Sequence, residues 1–318
     1  MNSSLPGSRR SEHAPSELPS AEPSGAFRSG FVGIIGKPNV GKSTILNYFL
    51  RSKISITSPR PQTTRHRILG ILTRPDAQVI FVDSPGWHKP RHSLGRYLVT
   101  VARGVMEEAD VLLTVVDAAS GITQEDEWVF DEVRSARRPT LLAINKVDVV
   151  NKGPLLPLLE TCAGLRLFEE QIPISAVTGD NMGVLLGELI ARLPVGHRWY
   201  ETDQHTDQPI EQLIREFIRE QVLRATRQEV PHAVAVLLDE VTPKEAVTLI
   251  RATILVEREG QKAILIGQQG QMLKQIGQAA RVELERLLGR KVFLELWVKV
   301  AKAWRENPAL LRELGYVG

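Results

Sequence analysis

The sequence contains a single cysteine among its 318 residues, Cys162. A disulfide within the chain is therefore impossible, which is typical of proteins from a reducing compartment. We interpret Cys162 as a small buried side chain rather than a catalytic group. Long apolar runs are also missing, since no stretch approaches the roughly 20 consecutive apolar residues that a membrane-spanning helix needs. The sequence therefore predicts neither a disulfide-stabilised fold nor a membrane span.

Neither a strong excess of one charge nor a targeting signal stands out. The formal net charge is only +3, and a value this small does not indicate a polyanionic partner. Residues 1–28 are rich in Ser, Pro, Glu and Arg. No apolar segment follows Arg9-Arg10, so we do not expect a secretory signal. We predict that residues 1–28 form a disordered tail.

From Phe31 onwards, short apolar runs alternate with segments that are long enough for helices. This alternation predicts an α/β domain whose mostly parallel sheet is covered by helices. Nucleotides bind such sheets beyond the carboxyl ends of the strands. The predicted strands lie at residues 31–35, 79–82, 111–116, 141–144 and 172–174, and the predicted helices at 42–50, 94–108, 125–137 and 183–193.

A polar stretch at residues 194–209 interrupts this alternation and has no sustained period. We predict a first domain at residues 29–196, a linker at 197–208 and an α+β domain at 209–305. We assign residues 306–318 to a C-terminal tail. The second domain is predicted to contain a helix at 210–223, strands at 234–238 and 247–257, two helices around a glycine turn within 263–288, and a strand at 291–300.

The motif with the most specific chemistry follows the first predicted strand. Residues 36–43 read Gly, four residues, then Gly-Lys-Ser, the phosphate-loop pattern between a strand and a helix. Its glycines allow backbone N–H groups to surround phosphates. A plain glycine turn is the alternative, and the complete pattern disfavours it. The predicted nucleotide contacts are Gly36, Lys37, Pro38, Asn39, Val40, Gly41, Lys42, Ser43 and Thr44, with the Lys42 ammonium on the β and γ phosphates and the Ser43 hydroxyl on Mg²⁺.

Two further motifs follow later strands in the expected order. Asp83-Ser84-Pro85-Gly86 places Asp83 where it can hold Mg²⁺ through water, and Gly86 where its N–H can meet a γ-phosphate. In Asn145-Lys146-Val147-Asp148, the Asp148 carboxylate can accept from the two donors of the guanine edge. Adenine lacks that donor pair, so we expect GTP to bind in preference to ATP.

The remaining residues of the base site are expected to orient the purine. The Asn145 amide can reach the base, and the Lys146 stem can lie over the ring. Ser175-Ala176 ends the last predicted strand of the first domain, where a backbone N–H can meet the guanine O6. That dipeptide is too short to carry the assignment without the other motifs.

The ordered set of motifs resembles the translation-factor-like GTPases. Residues 38–44 and the segment Gln62-Thr63-Thr64-Arg65-His66-Arg67 resemble the Era family in particular. The resemblance covers about residues 29–305. It implies that Thr64, rather than Thr63, closes on Mg²⁺ and the γ-phosphate when the loop at residues 55–67 becomes ordered. It also implies that Lys42, Thr64, Gly86 and Asn39 serve hydrolysis.

Hydrolysis cannot follow the route of Ras-like proteins, in which a Gln after the Asp-x-x-Gly motif orients the attacking water. Here that position is Trp87, and an indole has no acceptor for the water proton. An apolar residue at this place is typical of the Era-like group. His88 lies next to it, and we do not assign it as the base.

A second pattern of glycines marks the C-terminal half. Gly267-Gln268-Gln269-Gly270 lies between two predicted helices, and a G-x-x-G loop in this context clamps the nucleic-acid backbone in KH domains. The element order predicts a type II KH domain, and residues 259–267 and 293–300 resemble Era. The predicted RNA contacts are Lys262, Ile266, Gly267, Gln268, Gln269, Gly270, Lys274, Arg281 and Lys302.

Local charge and aromatic residues support this RNA surface. Residues 262–312 hold 10 basic and 4 acidic residues, although residues 201–318 are neutral with 17 of each. Lys299 and Arg305 are further candidates for phosphate contacts. Trp304 is a candidate for stacking on bases, whereas Trp297 lies in an apolar strand and is predicted to be core.

The resemblance implies a partner as well as an activity. It implies a cytoplasmic, monomeric GTPase that binds 16S ribosomal RNA near its 3′ end and acts in assembly of the 30S subunit. Three alternatives remain open from the residues. They are a metabolic P-loop enzyme, an RNA-binding scaffold with a structural nucleotide site, and a GTPase that acts as a cell-cycle regulator on the inner face of the membrane.

Asn39 in the phosphate loop predicts a dependence of GTP turnover on K⁺. In related GTPases an Asn at this place in the phosphate loop helps to hold K⁺ near the phosphates, where the ion offsets transition-state charge. We therefore expect faster GTP turnover in KCl than in NaCl at matched ionic strength. Equal steady-state rates in the two buffers would contradict a role for K⁺ and leave Asn39 as a residue that only shapes the turn.

Overall fold

A computed structural model describes residues 26–58, 60, 63–87, 90 and 92–316. Of the predicted tail, only residues 26–28 are described, and Arg28 already begins the first strand. Gln62, His88 and the pair Arg9-Arg10 lie outside the described residues.

The first half of the chain forms a six-stranded sheet in the order β2-β3-β1-β4-β5-β6. All neighbours are parallel except β2 and β3, which are antiparallel. The predicted mostly parallel sheet is therefore confirmed. The strands are β1 (Arg28–Ile35), β2 (Ile68–Thr73), β3 (Ala77–Asp83), β4 (Val111–Asp117), β5 (Thr140–Asn145) and β6 (Glu170–Pro173). The helices are α1 (Lys42–Leu50), α2 (Ser93–Glu108), α3 (Gln124–Ala136), α4 (Lys152–Gly164) and α5 (Met182–Arg192).

Two elements of this domain were not predicted from the sequence. Strand β2 lies at the sheet edge and reverses onto β3 through the turn at residues 74–76. Helix α4 contains Pro157 in its interior, and a proline there removes a backbone hydrogen bond. Burial of one face overrides that local penalty, since Leu158 and Cys162 pack with Leu142 and Ile144 of β5. Cys162 is buried, as expected.

The second half forms a three-stranded sheet in the order β7-β8-β9, antiparallel between β7 and β8 and parallel between β8 and β9. The order of helix, two strands, two helices and a strand agrees with the predicted type II KH fold. The elements are α6 (Ile210–Ala225), β7 (Ala235–Pro243), β8 (Thr248–Val256), α7 (Glu259–Ile266), α8 (Gln271–Leu288) and β9 (Val292–Val300).

The predicted linker at residues 197–208 lies along the first sheet. The Gln78 side-chain oxygen accepts the N–H groups of Trp199 and Tyr200 at 2.7 and 3.0 Å. Farther along, the Thr206 hydroxyl donates to the Leu69 carbonyl at 2.6 Å. Backbone and side-chain hydrogen bonds to β2 and β3 therefore fix a segment whose sequence has no period of its own.

The described part of the predicted C-terminal tail is a packed segment. Helix α9 (Pro308–Glu313) begins at Asn307, whose side-chain oxygen accepts from the Ala309 and Leu310 N–H groups. Asn followed by Pro is a helix-start signal that was present in the sequence. Beyond α9, Tyr316 is buried. This segment packs against α2 of the first domain in a cluster that includes Leu94, Leu98, Trp304, Leu311, Leu314 and Tyr316.

The two tryptophans of the second domain have the reverse of their predicted environments. Trp304 is fully buried, and its indole N–H donates to the Ala233 carbonyl at 2.8 Å, so it cannot stack on a base. Trp297 was predicted to be core, but its exposed fraction is 49%. Strand β9 alternates between a face covered by helices and an open face, and Trp297 lies on the open face together with Phe293.

This difference in burial predicts different costs of truncation. Trp304→Ala should lower the free energy of unfolding by about 3–5 kcal/mol, because it opens a cavity and leaves the Ala233 carbonyl without its donor. The matched change Trp297→Ala removes a half-exposed ring and should cost less than about 1 kcal/mol. Denaturation midpoints of the two variants test this. Equal midpoints would contradict the assignment of Trp304 to the core.

Candidate functional site

A cavity of about 510 Å³ opens beyond the carboxyl ends of β1 and β3. It brings together most of the predicted phosphate loop, the predicted switch loop and Gly86. Its described lining residues are Pro38, Asn39, Gly41, Lys42, Ser43, Thr44, Ile56, Thr57, Ser58, Thr63, Thr64, Gly86, Lys146 and Arg224.

Two glycines of the cavity lie where no side chain fits. Gly41 has a φ of 104°, and a Cβ there would lie 2.2 Å from the Asn145 amide nitrogen. At Gly86, a Cβ would lie 2.8 Å from the Pro38 Cα. The neighbouring Trp87 N–H donates to the Gly36 carbonyl at 3.1 Å. The Asp-x-x-Gly segment is therefore held directly against the phosphate loop.

The Lys42 ammonium is buried inside that loop. Its Nζ donates to the carbonyls of Gly36 and Lys37 at 3.0 and 2.9 Å. Burial lowers the pKa of Lys42 to about 8, and the nearby charge of Asp83 opposes that shift. Phosphate oxygens would supply the negative charge that a desolvated ammonium lacks, so the position fits its predicted role.

The Lys37 side chain points elsewhere. Its ammonium lies 2.7 Å from the Asp126 carboxylate and also donates to the hydroxyls of Ser120 and Thr123. Asp126 in turn caps the start of α3 through Thr123. This leaves the Lys37 backbone as the part of the residue that can meet a nucleotide, while its side chain ties the loop to α3.

The three predicted Mg²⁺ ligands converge. The Ser43 hydroxyl donates to Asp83 Oδ2 at 2.7 Å and lies 3.0 Å from the Thr64 hydroxyl. Ser55 also donates to Oδ2, at 2.9 Å, whereas the buried Asp83 Oδ1 has no hydrogen-bond partner. Burial raises the pKa of Asp83, and the Lys42 charge and the three hydroxyls oppose the shift. Hydroxyl and carboxylate oxygens fit Mg²⁺, which also keeps water and phosphate ligands.

No cluster of three or more His, Cys, Asp or Glu that could hold a metal occurs among the described residues. A metal at this place would therefore depend on Asp83, on the hydroxyls of Ser43 and Thr64 and on the nucleotide itself.

Asn145 connects the phosphate loop to the last motif of the first domain. Its amide nitrogen donates to the Val40 carbonyl at 2.7 Å, and its side-chain oxygen accepts the Ala176 N–H at 3.1 Å. The Lys146 ammonium lies 2.6 Å from the Asp117 carboxylate at the end of β4. Asp148 lies in the next turn and is exposed. Sequence reasoning missed Asp117, although its place at the end of a buried strand was a signal.

The expected contact of Ser175-Ala176 with guanine differs from the observed bonding. The Ala176 N–H donates to Asn145, and the Ser175 N–H donates to the Asp180 carbonyl at 3.1 Å. A guanine O6 would have to share one of these donors. In the structure the dipeptide orients Asn145.

Trp87 has 6% of its surface exposed and packs with Ile35, Val82 and Ala102. The Arg103 guanidinium lies 5.6 Å from its ring centroid, on the side of α2. The indole is not among the described residues that line the cavity. Its position agrees with the expectation that it does not orient water.

The loop that carries Thr64 is held by the second domain, and sequence reasoning did not reveal this. On one side of Thr64, the Thr57 N–H donates to the buried Glu220 carboxylate of α6 at 3.0 Å. On the other side, the Arg65 guanidinium is fully buried and donates to the Val234 carbonyl at 2.7 Å. Between them, Arg219 of α6 donates to the Thr63 carbonyl. These partners are more than a hundred residues away in the chain, so no local pattern pointed to them.

His66 continues this contact. Its ring stacks on Tyr316 with centroids 4.7 Å apart, and burial lowers the pKa of His66 to about 4. A neutral imidazole and the C-terminal segment therefore lie together next to the switch loop.

The predicted RNA loop projects from the second domain. Gly267 and Gly270 have φ values of 70° and 78°, and Gln268 and Gln269 between them are exposed. A Cβ at Gly267 would lie 2.7 Å from the Met272 Cβ, so a glycine is required there. The loop can therefore approach a nucleic-acid backbone closely.

The other predicted RNA contacts are distributed around this loop. Lys262 and Ile266 of α7 are half-buried, whereas Lys274 and Arg281 of α8 are exposed. Exposed Lys302 follows β9, and so belongs to a different element. Arg305 is not available, because it pairs with Glu257 at 3.0 Å. The helices that flank the loop thus carry most of the predicted contacts.

Within the part of the chain that the structure describes, no helix has the length and apolar character needed to cross a bilayer.

Comparison with known proteins gives matches over both domains. A family described as 50S ribosome-binding GTPase matches residues 31–146, and the KH domain family matches residues 229–305. The GTPase Era of Lacticaseibacillus paracasei is 48% identical over 289 residues, which cover 91% of this chain and 96% of that protein. Both family matches fall within the two predicted domains.

Two solved structures are similar over nearly the whole chain. One is a variant of Aquifex aeolicus Era bound to GDP and AlF4⁻, with a TM-score of 0.88. The other is Era in complex with MgGDPNP and nucleotides 1506–1542 of 16S ribosomal RNA, with a TM-score of 0.89. Each is 41% identical, and each alignment covers 92% of this chain and 100% of the other.

The lowered pKa of Lys42 predicts proton uptake on nucleotide binding. The nucleotide-free protein carries a largely neutral Lys42 above about pH 8, and phosphates favour the ammonium, so GDP binding at about pH 9 should take up roughly one proton. At about pH 7 Lys42 is already charged, and the uptake should nearly vanish. Titration calorimetry in two buffers of different ionisation enthalpy measures this. A binding enthalpy that is independent of the buffer at pH 9 would contradict it.

Proposed function

We infer that this chain, which belongs to the Era family of GTPases, uses its nucleotide state to control binding of 16S ribosomal RNA near its 3′ end during assembly of the 30S subunit. One observation carries the inference. The loop with Thr64 contacts the predicted Mg²⁺ ligands through Ser43 and Asp83, and it contacts the RNA-binding domain through Glu220 and Arg65.

The nucleotide is GTP or GDP with Mg²⁺, as in the similar structures with MgGDPNP and with GDP and AlF4⁻. We propose that Ser43, Thr64 and Asp83 hold Mg²⁺, which offsets charge on the β and γ phosphates. Asn145, Lys146 and Asp148 bind the guanine. The unpaired Asp83 Oδ1 supports this assignment, because it is a buried oxygen that lacks a partner within the protein.

For hydrolysis, water attacks the γ-phosphorus while the bond to the bridging oxygen of GDP breaks. Lys42 supplies positive charge where that oxygen becomes negative. The Gly86 backbone lies against Pro38 of the phosphate loop, close enough to offer its N–H to the γ-phosphate. We propose that Asn39, which lines the cavity, holds K⁺. Trp87 takes no part, since its ring packs on α2.

The switch follows from the double attachment of the Thr64 loop. GTP favours Thr64 close to Ser43 and Asp83, and that position places Arg65 and His66 against Val234 and Tyr316. Loss of the γ-phosphate removes one of the contacts that hold the loop. The equilibrium between domain arrangements can then shift only by the difference in binding free energy that GTP and GDP have for those arrangements.

RNA binding is proposed for the loop at residues 267–270 and the helices beside it. The similar structure with nucleotides 1506–1542 of 16S ribosomal RNA supports the target. Exposed Lys274 and Arg281 on α8 provide positive charge for the backbone, and the exposed glutamines of the loop can bind it closely.

We place the protein in the cytoplasm as a monomer that acts on the 30S subunit. The alternative, a regulator attached to the membrane surface, would need an outward apolar helix face near the basic C-terminal region. Helix α9 instead buries Leu311 against the protein.

A charge change in the exposed loop tests the RNA assignment. Gln268→Asp adds a negative charge without altering the glycines, and it should weaken binding of single-stranded RNA with the 16S 3′-terminal sequence by about tenfold or more. Gln124→Asp is the matched control, because Gln124 is exposed at the start of α3 in the other domain. Equal affinities of the two variants would refute the proposed surface.

The same assay tests the switch. RNA affinity should differ between the complex with a non-hydrolysable GTP analogue and the complex with GDP, and Gln268→Asp should lower both. Identical RNA affinities in the two nucleotide states would contradict nucleotide control but would not contradict RNA binding.

A further inference from the structure

We propose that Arg224, a residue of the second domain, binds the phosphates of the nucleotide in the cavity of the first domain. The inference rests on the proposed nucleotide site and adds a residue to it from the other domain. The nucleotide site would then be complete only when the two domains are docked as they are here.

The geometry places Arg224 at the cavity. It lies in the last turn of α6 and is the residue of that helix among the described residues that line the cavity. The same cavity is also lined by Lys42, Ser43 and Gly86 of the first domain. The Arg224 side chain is 49% exposed.

Glu220 fixes this arginine relative to the switch loop. One oxygen of the buried Glu220 carboxylate accepts both from Arg224, at 3.0 Å, and from the Thr57 N–H, at 3.0 Å. Its other oxygen pairs with Lys53. Thr57 also lines the cavity. A single carboxylate thus orients the guanidinium and the loop that covers the nucleotide.

The charges of the cavity favour a phosphate contact. Among the described lining residues, the charged ones are Lys42, Lys146 and Arg224. Lys146 is paired with Asp117 at 2.6 Å. Arg224 shares the Glu220 carboxylate with Lys53, and Lys53 also pairs with Glu283 at 2.8 Å. A guanidinium has more donors than one carboxylate oxygen uses, and its planar fork matches phosphate oxygens.

A purely structural role for Arg224 gives a different expectation. A structural role would act through the ion pair with Glu220, four residues earlier on the same helix. Removal of Arg224 leaves Glu220 with Lys53 and the Thr57 N–H, so the loop keeps its attachment. A structural arginine would therefore change neither nucleotide affinity nor the docking of the loop appreciably.

The test uses full-length protein with Mg²⁺ and measures equilibrium affinity for GDP and for GDPNP. Arg224→Ala should weaken both by about tenfold, a value at the lower end for hydrogen bonds to charged groups. Arg224→Lys should recover part of the loss, because an ammonium keeps the charge without the fork. The matched control is Arg134→Ala, since Arg134 pairs with Asp131 on the surface of α3 and is 55% exposed.

Two results would overturn the proposal. One is an Arg224→Ala affinity within about twofold of the Arg134→Ala value. The other is a clear fall in the unfolding midpoint of the nucleotide-free Arg224→Ala protein, which would assign Arg224 a structural role. If the unmodified protein failed to bind GDP, the proposed function itself would be refuted.

Discussion

The attachment of the Thr64 loop to two partners at once is the constraint on which the other features depend. Toward the first domain, Thr64 meets the Ser43 hydroxyl and the buried Asp83 carboxylate. Toward the second domain, residues on both sides of Thr64 bond to α6 and to the start of β7. Residues of this loop therefore have hydrogen bonds to both domains at once. The nucleotide cavity and the second domain therefore meet at one segment.

Buried charged groups make this attachment sensitive to the loss of any one partner. Arg219 forms a buried pair with Glu216 while also reaching the Thr63 carbonyl, and Arg65 is fully buried beside Trp304 and Tyr316. A buried pair contributes little net stability, but removal of one partner is expensive. Such contacts favour two discrete arrangements over gradual loosening, because an intermediate position would leave charges desolvated and unpaired. The same physics lowers the pKa values of Lys42 and His66.

Much of the fold was predictable because it follows local rules. The alternation of apolar runs with helical segments indicated the parallel sheet, and the glycine patterns indicated the two loops that are predicted to bind nucleotide and RNA. Predictions were wrong or absent where neighbours distant in the chain govern a residue's environment. The burial of Trp297 and Trp304 was predicted the wrong way round. Hydrophobicity does not show which face of β9 the helices cover. Strand β2 and helix α4 were missed since an edge pairing and a buried face, respectively, outweigh weak local signals.

The nucleotide site could be predicted from the order of the residues, because the patterns predicted for a phosphate loop, a metal-binding aspartate and a guanine acceptor each need particular side chains at the ends of strands. The order of residues did not show which of these elements contact the second domain. The contacts of Glu220 with Thr57, of Arg65 with Val234 and of Arg224 with the cavity join positions that are far apart in sequence. They exist because the two domains dock through these polar groups and through apolar contacts such as those of Leu94 and Leu98 with Trp304, and docking has no periodicity that a sequence can display.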